Sequence, residues 1–122
     1  MLLIEDIIKM NNTESQKLVK ETLAGSKTAL EKLIQVHYGF IYNVAFKFTF
    51  DHFDAEDLTQ EVIIKVITNL SQFNHQSQFT TWLYRIVFNH FLNTKRKKME
   101  TIIFSFTDYG ETLNNIPDMR LT

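Results

Sequence analysis

Residues 79–98, Phe79-Thr80-Thr81-Trp82-Leu83-Tyr84-Arg85-Ile86-Val87-Phe88-Asn89-His90-Phe91-Leu92-Asn93-Thr94-Lys95-Arg96-Lys97-Lys98, mix aromatics with cations and hold no carboxylate. No Gly or Pro interrupts them. Ser77 stands where an N-cap hydroxyl meets an orphan backbone N–H, and the closing cations suit the negative end of a helix dipole. The stretch therefore reads as one long helix. At roughly 100° per residue, Phe79, Trp82, Leu83, Ile86, Val87 and His90 share a broad face, and Tyr84, Phe88 and Phe91 form a second apolar stripe opposite. Such a helix is expected to be covered on two sides. A narrow strip is left, in which Arg85, Asn89 and Arg96 recur at helical spacing with Trp82 at its border.

An indole beside a guanidinium, an amide and a basic run suits an unpaired base that stacks while phosphates are neutralised and the amide hydrogen-bonds a base edge. Single-stranded nucleic acid fits that combination. The plainer alternative makes Trp82 a core anchor and Lys95-Arg96-Lys97-Lys98 a solvated helix end; the basic run gains force only from sharing a helix with the strip.

A chain of 122 residues forms one domain, large enough to bury a core without staples. Cysteine is absent, which removes thiolate nucleophiles, disulfides and Cys-ligated zinc and suits a reducing cytoplasm. Apolar residues make up 44% of the chain, too many for disorder, yet no run approaches the roughly 20 residues of a membrane span, so a protein without membrane insertion is expected. Residues 1–10 are apolar apart from Glu5, Asp6 and Lys9, and the two acids argue against a signal peptide. The net charge of −1 conceals a separation of signs. Asp51, Asp54, Glu56, Asp57 and Glu61 cluster, whereas residues 62–99 carry only Lys65, Arg85 and the run from Lys95 to Lys98. One molecule thus offers two surfaces of opposite sign, as a bridge between a basic protein and a polyanion would.

Three further helices precede this one. Thr13-Glu14-Ser15-Gln16 has the form of a capping box, and Gly25 suits the left-handed position after a helix end, which predicts a short helix over 14–24 with Ser26 capping the next. From Lys27 to about Phe48, Leu30, Leu33, Ile34, Ile41, Val44, Ala45 and Phe48 keep the spacing of a core-facing helix. His37 falls on the same face and reads as a packing histidine, since no second metal ligand stands at i+4. Gly39 within it is expected to mark close approach of a neighbour. Asp54 reads as the N-cap of the third helix, with Glu56 and Asp57 in its first turn. Ala55, Leu58, Val62, Ile63, Val66 and Leu70 point to a core, while Ile64 and Ile67 project oppositely among Asp57, Gln60, Glu61 and Thr68. Two isoleucines ringed by carboxylates form a patch with an apolar centre and a polar rim, suited to a basic partner, unless the helix of residues 14–24 covers it. Residues 71–78 form a polar loop around Phe73, and beyond Met99 the residues Ile102, Ile103, Phe104 and Phe106 suggest a brief extended stretch within a tail over 99–122. The expected class is all-α, a compact bundle of about four helices over 14–98, with 1–13 as an N-terminal segment.

Residues 54–61 (Asp54-Ala55-Glu56-Asp57-Leu58-Thr59-Gln60-Glu61) and 79–89 (ending Trp82-Leu83-Tyr84-Arg85-Ile86-Val87-Phe88-Asn89) resemble region 2 of bacterial RNA polymerase sigma factors, most of all the extracytoplasmic-function group. The resemblance covers roughly 14–98. It implies a cytoplasmic transcription-initiation factor rather than an enzyme, with no cofactor and no metal. It implies that the first motif helix docks on the clamp helices of the polymerase beta-prime subunit through Asp57, Gln60 and Glu61, with Ile64 and Ile67 alongside. It implies that the second motif helix opens and reads the minus-ten promoter element on the non-template strand through Trp82, Tyr84, Arg85 and Asn89, followed by Lys95 and Arg96, with Phe73 and Asn74 in a base-capturing loop over 73–78. An anti-sigma factor is a further implied partner. Family members continue into a helical region 4, so 99–122 is expected to be the linker towards a domain this chain does not include. The loop Phe73-Asn74-His75-Gln76-Ser77-Gln78 lacks the charges common in the family.

The competing reading is a helical protein-interaction module with no nucleic-acid role. An enzyme is the weakest reading. The carboxylates at 51–61 lack a glycine-turned calcium loop, His52 has no partner histidine at i+4, and Gly25, Gly39 and Gly110 are too few for a phosphate-cradling loop or a nucleophile elbow.

Overall fold

Gly25 adopts φ +107°, and around it the chain closes a Schellman turn: the Gly25 N–H donates to the Thr22 carbonyl at 2.9 Å and the Ser26 N–H to that of Glu21 at 3.0 Å. Ser26, in extended backbone, accepts from the Ala29 N–H at 3.1 Å and so starts the next helix. One pair of residues therefore ends α1 (Ile4–Leu23) and begins α2 (Lys27–Thr49). Phe50 ends α2 in the left-handed region (φ 54°), its N–H donating to the Phe46 carbonyl at 2.8 Å. Then follow α3 (His52–Asn69), a single 3-10 turn over Leu70–Gln72, and α4 (Phe79–Asp108). The structure, a computed structural model, describes the backbone of residues 4–108 and the side chains of residues 13–105. The described residues are all-α, four helices without a strand, as the periodicities predict. No helix among them is long and apolar enough to cross a membrane.

The fold divides into two units, residues 1–88 and 89–122, and α4 contributes to both. Within the first, α2 is central, flanked by α1 and α3. The core is Leu18 and Val19 from α1; Leu33, Ile41, Val44 and Ala45 from α2; Ala55, Leu58, Val62 and Val66 from α3; and Phe79, Leu83 and Val87 from α4. The sets from α2, α3 and α4 keep helical spacing, which is why one face of each of these helices leaves water. His37 is buried, as expected of a packing histidine, and joins three elements. Its Nε2 lies 2.7 Å from the Ser15 hydroxyl of α1, and its ring meets Phe79 of α4 edge-on at 5.0 Å.

Five local expectations are corrected. The first helix begins upstream of the capping box, at Ile4, because neither Gly nor Pro stops it; Thr13 is a mid-helix residue, not an N-cap. The cap of α3 is Asp51, which takes extended backbone and accepts from the Asp54 N–H at 3.0 Å, placing Asp54 in the first turn. Ser77 does not cap α4, since its hydroxyl donates to the Gln78 carbonyl at 3.2 Å. A Cβ built at Gly39 meets nothing within 4 Å, so no neighbour approaches closely. Residues 102–104 are helical rather than extended: with no Gly or Pro before Gly110, α4 runs on to Asp108. Phe106 lies outside the described side chains, and residues 109–122 lie outside the described residues altogether.

Burial holds the His37 imidazole below its usual pKa, against the opposing pull of the Glu14 carboxylate. Below the ordinary histidine value of about 6.5 the unfolded chain binds a proton that folded His37 refuses, so stability falls as pH drops from there towards the lowered value. Chemical denaturation between about pH 7.5 and about pH 5.5 is expected to show that loss in the native chain and a flatter profile in His37→Gln.

Candidate nucleic-acid and protein interfaces

On α3, the residues opposite the core are solvent-facing. Ile64 is 62% exposed and Ile67 40%, and Asp57, Gln60 and Glu61 are exposed around them. The described part of α1 leaves the two isoleucines uncovered, so the apolar centre with its acidic rim is a surface of this unit. Scattered single apolar residues are normal on any protein. What distinguishes this pair is its spacing, i and i+3 on the same face as the carboxylates.

The approach to α4 is built around Phe73. Its ring is buried at 4% exposure, within 5.2 Å of Phe79, 5.3 Å of Trp82 and 4.6 Å of His75. Phe73, expected within a base-capturing loop, turns its ring into the core and anchors that loop, because a large apolar ring beside Phe79 gains about 1.5–3 kcal/mol by leaving water. The loop residues that do reach solvent are Asn74, Gln76 and Gln78. Asn74 folds the loop tip by accepting the Gln76 N–H at 3.2 Å, and His75 beside it adopts φ 62°. The His75 Nδ1 is buried without a hydrogen-bond partner among the described residues.

On α4, Trp82 is half-buried, its ring against Phe73 and 5.6 Å from Phe79. The indole anchors the loop yet keeps an accessible portion. Arg85 is exposed one turn on, and its side chain joins no hydrogen bond or ion pair among the described residues. Tyr84 is 45% and Phe88 39% exposed although Phe48 of α2 contacts both, at 5.9 Å and 5.5 Å. Tyr84 and Phe88 are thus only lightly covered, not packed as the sequence predicts.

In the second unit, Asn89, Lys95 and Arg96 are exposed on the continuing helix, and the Lys95 ammonium lies 5.2 Å over the Phe91 ring. Asn89 has no hydrogen-bond partner among the described residues.

The sigma-70 region 2 family matches residues 33–101, which include α3, the loop and most of α4. The chain belongs to that family. It is a region 2 of the extracytoplasmic-function (ECF) type, 30% identical over 83 residues to the ECF RNA polymerase sigma factor SigW of Bacillus subtilis, a match that takes in 68% of this chain and 44% of that protein. It is 34% identical over 80 residues to the RNA polymerase sigma-H factor of Pseudomonas aeruginosa, covering 66% of this chain and 42% of the relative. RNA polymerase sigma factor YlaC of B. subtilis is 30% identical over 85 residues, 70% of this chain and 47% of that one. This sigma region 2 chain therefore spans less than half the length of these relatives.

The residues that sequence reasoning passed over are Phe50 and Phe53, at 80% and 79% the most exposed large apolar side chains among those described. Their position in a short break was the available signal.

If Phe73 is core and Ile64 surface, truncating them must have opposite consequences. Phe73→Ala is expected to cost about 3–5 kcal/mol in denaturant unfolding, whereas Ile64→Ser should stay within about 0.5 kcal/mol of the parent chain.

Proposed function

We propose that this domain serves transcription initiation by docking on the core RNA polymerase through α3 and capturing unpaired bases of the minus-ten element with α4 and its preceding loop. It is a binding module, not an enzyme. The observation that carries the reading is the exposure of Ile64 and Ile67 among Asp57, Gln60 and Glu61, a patch with an apolar centre and acidic rim for which a basic helical partner, such as the beta-prime clamp helices, is the complement.

Under this reading Trp82 and Tyr84 offer ring surface to a base, Arg85 meets phosphate or stacks, and Asn89 and Asn74 hydrogen-bond base edges. Lys95 and Arg96 supply sequence-blind attraction to the backbone. Bases that transiently leave the duplex are held, and that binding offsets an unstacking cost of a few kcal/mol. Phe73 acts indirectly, by holding the loop and Trp82 in place.

A second reading, in which α4 also takes an apolar protein partner such as an anti-sigma factor, is favoured by the exposure of Tyr84 and Phe88. Salt separates the two, since an apolar protein contact tolerates salt that releases nucleic acid.

Charge reversal in Asp57→Lys/Glu61→Lys is expected to abolish binding to a beta-prime clamp-helix fragment while leaving the melting temperature unchanged; undiminished binding removes α3 as the docking face. Titrating single-stranded minus-ten oligonucleotides against Trp82 fluorescence is expected to give a salt-dependent affinity. Arg85→Ala should lower it about tenfold and reduce the salt slope by about 0.7. An emission that does not respond to any oligonucleotide at low salt removes the nucleic-acid role.

A further inference from the structure

The turn between α2 and α3 exposes two phenylalanines more fully than any other large apolar side chain among the described residues. Phe50 is 80% and Phe53 79% exposed. Phe50 holds the left-handed conformation, which a bulky side chain takes at a cost, and rests edge-on against Phe46 at 6.4 Å. Beneath it, Tyr42 of α2 hydrogen-bonds the His52 imidazole, and His52 stacks on Tyr42 and tilts against Phe46 at 5.0 Å, so the turn stands on a braced aromatic base.

Helical geometry connects this turn to the face already described. With about 100° between successive residues, Phe53, Asp57, Gln60, Ile64 and Ile67 fall within about 40° either side of one line along α3. All five are exposed, and the buried Ala55, Leu58, Val62 and Val66 lie on the other side. Phe53 precedes Ile64 by eleven residues, or about 16 Å along the helix axis.

We infer that the docking face of α3 extends across its carboxylates to a Phe50–Phe53 anchor, and that its occupant is a basic helix seated on apolar contacts at both ends. This inference rests on the reading of α3 as the polymerase-docking face. Charge chooses the occupant: Asp51, Asp54, Glu56, Asp57 and Glu61 surround or separate the two apolar ends, and they repel nucleic acid and anionic lipid alike. Periodicity chooses its shape, because exposed positions spaced four, three, four and three apart match a partner that is itself helical. Aromatic side chains, phenylalanine included, are enriched at protein interfaces.

The test measures binding of the full chain to a beta-prime clamp-helix fragment, with melting temperature read in parallel. Phe53→Ala, at an unchanged melting temperature, and Phe50→Asn, at an unchanged or raised one because asparagine tolerates the left-handed region, are each expected to weaken binding about tenfold. Asp57→Lys/Glu61→Lys serves as the arm for the underlying reading. If it abolishes binding while both phenylalanine variants bind as tightly as the parent, the anchor is overturned and the α3 reading stands. If charge reversal leaves binding intact, the α3 reading falls and the extension falls with it.

Discussion

Phe79 is the residue through which the first unit is held in register. Its ring is 1% exposed and meets His37 edge-on at 5.0 Å and Phe73 at 5.2 Å, with Trp82 one turn further along its own helix. His37 in turn is tied to Ser15 of α1. A single ring thus brings α1, α2 and the loop to the start of α4. A helix fixed at one end by large rings cannot rotate without opening a cavity, and the rotation of α4 decides that Leu83 and Val87 face inward and Arg85 outward. Arg85 owes its accessibility to ring contacts in which it takes no part.

The same logic separates the two surfaces. On α3 the core side is filled by small and branched residues, Ala55, Leu58, Val62 and Val66, and Thr59 is accommodated among them because its hydroxyl donates to the Ala55 carbonyl at 2.7 Å. That leaves every carboxylate of the helix on the solvent side. The first half of α4, residues 79–92, is richer in apolar side chains, so the polar strip there is narrow and bordered by rings that remain partly wet. One helix presents charge around an apolar centre and the other a cation between aromatics, a contrast that follows from composition once the buried face is set.

Most of this was legible in the sequence because helix faces are written in spacing. The faces of α2, α3 and α4, the Gly25-Ser26 turn, the packing role of His37 and the outward isoleucines all follow from periodicity and turn chemistry. Boundaries were less legible. Asp51 and Asp54 stand three apart and satisfy the same cap pattern, so only the extended backbone of Asp51 decides between them. Residues 99–108 lose the amphipathic pattern without containing a helix breaker, and the helix persists by propagation. Phe73 sat in a polar loop, and no local rule indicates that a ring there turns inward to meet Phe79; that contact belongs to tertiary structure.

Two non-glycine residues among those described take left-handed backbone, Phe50 and His75, and they stand at the turns that lead into α3 and α4. Each is compensated differently. His75 lays its ring against the buried Phe73 at 4.6 Å, so part of its conformational cost returns as aromatic contact within the fold. Phe50 recovers a hydrogen bond through its N–H to Phe46, but its ring stays four-fifths in water and gains little from the chain itself. Asparagine or glycine would take that backbone conformation with less strain and expose less apolar surface. A phenylalanine there costs stability in the free domain, a cost that the inferred docking of a partner on its exposed ring would offset.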